Sequence, residues 1–372
     1  MKKTTYIIAM FLILSQGLLS ACLDEKADNL PKLPARTILF FMVGDDGLEE
    51  EIQRKTDALA AAWQIEGDNH LLVYRTNTDT HRATLLEITQ GQALERVQYD
   101  PGYVSFAAEL SRAINDMTGL YPGTDYGLIL FSRSGGWLPQ GTHITPSSVA
   151  GVGGNQEFEL ADFARIIPDG QFRFIIFESD HMAGIEVAYE LKDKTALLLA
   201  SAAPIPSPGF TPLYANLLTR LYKETPELSG FAADYCDYCN TLEGDARSAT
   251  LSVISTAGLA AFKPFLKGVE DAAGEEWRWL PREQMQHFDL RRSGHLFYDL
   301  ADYIDLIGTP QDADRLIALL TNVLLYRGST PSFQPGHRYG YDINHHCGLT
   351  IYVQSPDYPY LNRKRKQLTL FN

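Results

Sequence analysis

Apolar residues along the chain gather into short unbroken runs, separated by stretches in which they recur every three or four positions. The runs 37-TILFFMV-43, 126-YGLILFS-132, 174-FIIF-177 and 196-ALLLAS-201 predict strands buried on both faces, because they leave no alternate position polar enough to face water. Between them the helical spacing appears: Leu48, Ile52, Leu59 and Ala62 on a segment reaching about Trp63, then 105-SFAAELSRAINDM-117, 158-FELADFARII-167, the set Met182, Ile185, Ala188, Tyr189 and Leu191, and 212-PLYANLLTRLYKE-224. A further strand is predicted at 70-HLLVYRTN-77, and hairpin-like pairs around TQGQ at 89–92 and in the Gly-rich stretch 148–156. Strands alternating with helices predict an α/β fold, a mostly parallel sheet covered on both faces. After 249-ATLSVIS-255 the pattern changes to helical segments at 256–272, 295–307 and 310–327, closed by a strand at 349-LTIYVQ-354. The expected division is therefore an α/β domain over 37–255 and a helical C-terminal extension with a final strand over 256–372.

The first residues break this pattern. Lys2 and Lys3 precede an apolar run that is short for a membrane span and has the length of an export signal. The run ends in Leu19-Ser20-Ala21-Cys22, which resembles the bacterial lipobox, so residues 1–21 are expected to be removed and Cys22 to carry lipid. The polar, Pro-punctuated segment 22–36 then suits a tether. These features place the protein in the cell envelope, held to a membrane through acylated Cys22.

Charge narrows the partners. With 32 basic against 46 acidic residues the formal charge is −14, and it becomes more negative when Lys2 and Lys3 leave. Such a chain is unsuited to nucleic acid or to electrostatic membrane binding, and the basic tail NRKRKQ reads as a solvated end. Beyond Cys22 only Cys236, Cys239 and Cys347 remain. Cys236-Asp237-Tyr238-Cys239 has the spacing of redox and zinc motifs, and His345-His346-Cys347 could complete a metal site. One CxxC without a second is weak, and its helix-like surroundings favour buried or disulfide-linked cysteines, so no metal or other cofactor is expected.

Three strand ends carry unusual loops: Gly44-Asp45-Asp46-Gly47-Leu48-Glu49, Ser132-Arg133-Ser134-Gly135-Gly136-Trp137, and Glu178-Ser179-Asp180-His181-Met182 followed by Glu186-Val187-Ala188-Tyr189-Glu190-Leu191. In this order they resemble the clostripain family of cysteine peptidases, whose corresponding loops read like D-N-N-L-E, W-x-H-G-x-G-W and F-D-A-C-x-M-G-x-x-E-V-A-Y-E-L. The likeness extends to Ala200-Ser201 with Pro208-Gly209-Phe210, to 297-FYDLADYI-304 and to 348-GLTIYV-353. It implies a caspase-like fold, with peptide bound near Gly135, Gly136, Trp137, Glu178 and Ser201.

The departures fall on the chemistry. The resemblance puts Arg133 where the general-base histidine belongs and Asp180 where the nucleophilic cysteine belongs, while Glu178 stands where the family usually has an aspartate that helps choose basic side chains. Arginine stays protonated near neutral pH and cannot take a proton, and a carboxylate is a weak nucleophile toward amides. The dyad positions therefore predict an inactive relative that still binds a peptide or protein, with Arg133 and Asp180 joined as a bidentate ion pair across the strand ends. Two other readings stay open: a peptidase using a substitute constellation around His181 or His143, and a structural scaffold of an envelope complex.

Overall fold

The computed structural model describes residues 35–44, 48–77, 82–100, 105–139, 142–145, 148–149 and 159–372. The leader and residues 22–34, with Cys22, lie outside these residues, as do Asp45, Asp46 and Gly47 of the first loop; Arg36, expected at the end of the tether, instead opens the first strand and is buried.

Strand β1 (Arg36–Met42) is buried along its whole length, as its unbroken apolar run requires. It lies between two parallel neighbours, β2 (His70–Asn77) and β5 (Asp125–Phe131), and β6 (Phe172–Glu178) and β7 (Thr195–Ala200) continue the parallel set beyond β5. Antiparallel strands finish both edges. The hairpin β3 (Arg82–Thr89) and β4 (Gln92–Tyr99) extends from β2, and β8 (Thr250–Ser255) with β9 (Leu324–Ser329) extends from β7. The nine strands run β9-β8-β7-β6-β5-β1-β2-β3-β4.

Period-two alternation divides the core into two layers. Ile38, Phe40, Ile129 and Ile176 point to a layer filled by α1 (Glu49–Ala62), α5 (Tyr214–Leu221) and α6 (Leu228–Thr241). Leu39, Phe41, Leu128, Leu130 and Phe177 point to the other. That layer is packed by α2 (Phe106–Leu120), α3 (Leu160–Ile166), α4 (Ile185–Glu190), α7 (Phe262–Ala273), α8 (Leu300–Ile307) and α9 (Pro310–Val323).

The C-terminal part differs from its expected form. Residues 35–372 form one compact unit, and the main sheet takes an edge strand from within the region 256–372. The helix expected over 310–327 stops at Val323, and Leu324–Ser329 becomes β9, with Val253 opposite Tyr326. Leu324 and Leu325 prolong the apolar spacing of Leu316 and Leu320, which hides the change of period. The helix expected from 295 begins only at Leu300, where the Asp299 carboxylate accepts the N–H groups of Ala301 and Asp302. The expected final strand is reduced to Thr350–Ile351, paired with Tyr298–Asp299 away from the main sheet. Of the Gly-rich hairpin only Ser148–Val149, paired with His143–Thr145, falls among the described residues. No helix among those residues is long and apolar enough to cross a membrane.

Candidate functional site

The order of the strands sets the site. From β1 the chain goes to β2 on one side and later to β5 on the other, so the connections part at the carboxyl ends of β1 and β5, where open α/β sheets gather their ligands. Register aligns these ends: Met42 stands opposite Phe131, and Phe131 opposite Glu178. The 132–137 and 178–182 loops therefore rise from one rim.

Short contacts lock the two loops together. The Ser132 N–H donates to Ser179 Oγ at 3.3 Å, the Ser179 hydroxyl donates to Leu130 O at 3.3 Å, and the Ser134 hydroxyl donates to Asp180 O at 2.5 Å. Gly136 has φ +63, and a Cβ there would lie 2.8 Å from His181 O and 3.1 Å from the Phe297 ring, so only glycine fits. Trp137 is buried and meets Tyr352 edge-on at 5.2 Å.

Asp180 is partly buried, and its Oδ1 accepts the Ile205 N–H at 2.8 Å. Burial raises its pKa to about 6, against the opposing pull of the Ile205 N–H and of the Arg133 charge. The expected bidentate pair does not form. Arg133 shares the rim and acts on Asp180 as a neighbouring charge, whereas the carboxylate is seated on the backbone of the loop after β7. That loop offers a fixed N–H at closer range than a long side chain reaching across the strand ends.

His181 turns the other way. It has φ +58, its Nδ1–H donates to Ala202 O at 2.9 Å, and its ring lies flat on Phe297 with centroids 4.3 Å apart. Burial pushes the imidazole down to about 4. His143 lies on the short strand His143–Thr145, and its side chain falls outside the described residues.

Glu178 is not open to a ligand. Its Oε1 accepts from Lys55 Nζ at 2.5 Å and from the Phe210 N–H at 2.7 Å, and its Oε2 accepts from the Tyr214 hydroxyl at 2.9 Å. Both charged partners are buried. Ser201 is also buried, donating to Ala203 O at 2.7 Å and sharing a hydrogen bond with Thr250 Oγ1 at 2.8 Å. Of the expected peptide-binding set, the Trp137, Glu178 and Ser201 side chains thus hold the rim together, and Gly135 and Gly136 are buried beside them. Lys55 escaped the sequence reading. Its signal was a lysine on the same helical stripe as Ile52, Thr56 and Leu59, where a solvated charge does not belong.

The thiols are remote from acyl-transfer chemistry. Cys236 and Cys239 are free and buried on α6, and Cys347 is free and buried in the opposite core layer. Burial pushes Cys236 up to about 12 and raises Cys239 and Cys347 as well. Among the described residues, the potential metal ligands that converge are His287, Asp289 and His295. The two imidazoles lie face to face, 3.6 Å between centroids, and parallel rings cannot both aim a lone pair at one ion. Asp289 already accepts from His295 and from the Leu296 and Phe297 N–H groups, so the cluster fits a braced turn better than a metal centre.

A central parallel sheet, helices on both faces and charged loops converging on one carboxyl rim define the caspase-like class of α/β proteins. A model of the clostripain family matches residues 40–310, and the chain belongs to that family. Among solved structures, an inactive zymogen C11 protease from Parabacteroides distasonis superposes with a TM-score of 0.80 at 23% identity, covering 92% of this chain and 98% of that one. A secreted C11 cysteine protease from Bacteroides thetaiotaomicron, iotapain, gives 0.75 at 19% identity, with 91% and 98% covered. No match was found among curated proteins.

Proposed function

We propose that this clostripain-family chain is a lipid-anchored, catalytically inactive relative of the peptidases that binds a peptide or protein in the cell envelope. The observation that carries this reading is the rim itself: Arg133 and Asp180 stand on the two loops where a base and a thiol are needed, and neither can do that work. Asp180 is seated on Ile205, and His181 is committed to Ala202 and Phe297, which argues against its acting as a substitute base. The lipobox ending at Cys22 supports the anchor.

The test is incubation of the purified protein with arginyl and lysyl peptides. No turnover is expected, and cleavage blocked by thiol reagents would overturn the reading. Mass spectrometry of membrane-extracted protein should find a diacylglyceryl-modified N-terminal Cys22, and Cys22→Ala should release the protein from membranes. The burial of Trp137, Glu178 and Ser201 also favours a second reading, a scaffold in an envelope complex. That reading requires a partner whose binding survives substitution of the rim loops.

A further inference from the structure

The Lys55 ammonium has three hydrogens and three acceptors around it: Glu178 Oε1 at 2.5 Å, Pro208 O at 3.0 Å and Thr211 Oγ1 at 3.0 Å. The Phe131 ring lies beneath, its centroid 4.4 Å from Nζ. A carboxylate, a carbonyl, a hydroxyl and an aromatic face together make a complete receptor for a primary ammonium. An ion pair kept only for neutrality would need none of the last three.

The receptor is also held ready. The Phe210 N–H and the Tyr214 hydroxyl fix the Glu178 carboxylate, and the turn before Phe210 is moulded onto it: Gly209 has φ +62, and a Cβ there would collide with Glu178 Oε1. Because Tyr214 already occupies Oε2, the carboxylate has one oxygen left for a cation. That suits a point-like ammonium and not the two-pronged grip of a guanidinium.

The walls and the occupant come from different places. Phe131 ends β5, Glu178 ends β6, and Pro208 to Thr211 belong to the loop that also seats Asp180 through Ile205. All of these belong to the rim or to the loop above it. Lys55 alone comes from α1, a covering helix on one face of the sheet. We infer that this is a lysyl side-chain pocket of the peptide cleft, filled in cis by Lys55, so that the chain holds peptides without selecting a basic residue at this point. The inference rests on the reading of the rim as a peptide cleft.

Lys55→Ala empties the pocket, and Lys55→Ala/Glu178→Gln also removes the carboxylate that bonds the ammonium at 2.5 Å, both variants keeping Glu51, whose Oε1 lies 3.7 Å from Nζ at the pocket's edge. Butylammonium, the length of a lysine side chain, should raise the Tm of the single variant by about 2–5 °C. It should leave the parent protein and the double variant unmoved, and butylguanidinium should do less than butylammonium. If the single variant does not fold unaided, it should be recovered from denaturant with butylammonium but not with tetramethylammonium. Equal response to all three cations, or none, overturns the pocket. Peptide cleavage by the parent protein would instead sink the inactive-relative reading and leave the amine result untouched.

Discussion

Lys55 and Glu178, 123 residues apart in sequence, meet in the buried layer directly below the Asp180 loop. The carboxylate at a peptidase-like rim is thus neutralised from inside. Removing one member strands the other in a dry site, so Lys55→Met should cost roughly 3–5 kcal/mol of unfolding free energy. Lys55→Met/Glu178→Gln should recover a large part of it. Denaturant titration of the two variants checks this, and equal losses would mean that the pair contributes little.

Asp180 gives a pH signature. Its carboxyl titrates near 6 in the folded chain, above the usual carboxylate range. The protonated form is favoured by folding, so the stability it contributes is full below about pH 4 and lost as pH rises through 6. Asp180→Asn keeps the acceptor for Ile205 and should match the parent at pH 4 while exceeding it by roughly 1–2 kcal/mol at pH 7. Removing the nearby charge with Arg133→Gln should move the Asp180 titration higher, which carboxyl carbon NMR would detect.

A larger effect of the same sign belongs to Glu186. It is buried, accepts the Tyr352 N–H at 2.8 Å, and burial pushes its carboxyl up to about 7. Glu186→Gln should therefore gain stability over the parent as pH rises from about 4.5 to 7, by up to roughly 3 kcal/mol, and then level off. Thermal melts across that range decide it. The imidazoles of buried His181 and of half-buried His287 and His346, each pushed down to about 4 by desolvation, work in the opposite direction and lose stability as pH falls from about 6.5 to 4.

Gly136 presses its backbone on the His181 loop at positive φ. Gly136→Ala should cost about 2 kcal/mol or more, because the new methyl must displace backbone rather than a side-chain tip. A loss below about half that, read from Tm, would show that the two loops are free to separate.

Restoring the dyad is the most demanding test. Arg133→His with Asp180→Cys rebuilds the groups that thiolate attack needs, but Lys55 still fills the pocket beneath. The double variant should show little activity on lysyl peptides, and adding Lys55→Ala should raise it at least several-fold. Thiol-sensitive hydrolysis that is already strong in the double variant would separate the pocket from substrate choice.

Much of this was readable from the sequence, and unevenly. The central strands announce themselves because both faces are buried, and Arg133 and Asp180 could be located because they sit at strand ends inside recognisable loops. What those side chains touch was not legible. Asp180 settled on Ile205, and Lys55 on Glu178, through contacts spanning many residues that no local spacing encodes. β9 was missed for a different reason: Leu324 and Leu325 carry a helical spacing one step past the point where the backbone extends.

The late arrival of β9 bears on how the chain is made. β8 has β7 on one side from early on, but its other edge waits for residues beyond Val323. A nascent or truncated chain ending after α8 would carry the whole central sheet with one interior strand laid bare. Such an edge is the kind that pairs with another molecule before its own partner arrives. A fragment of residues 35–310, which keeps β1 whole and lacks β9, should therefore aggregate where the full chain does not.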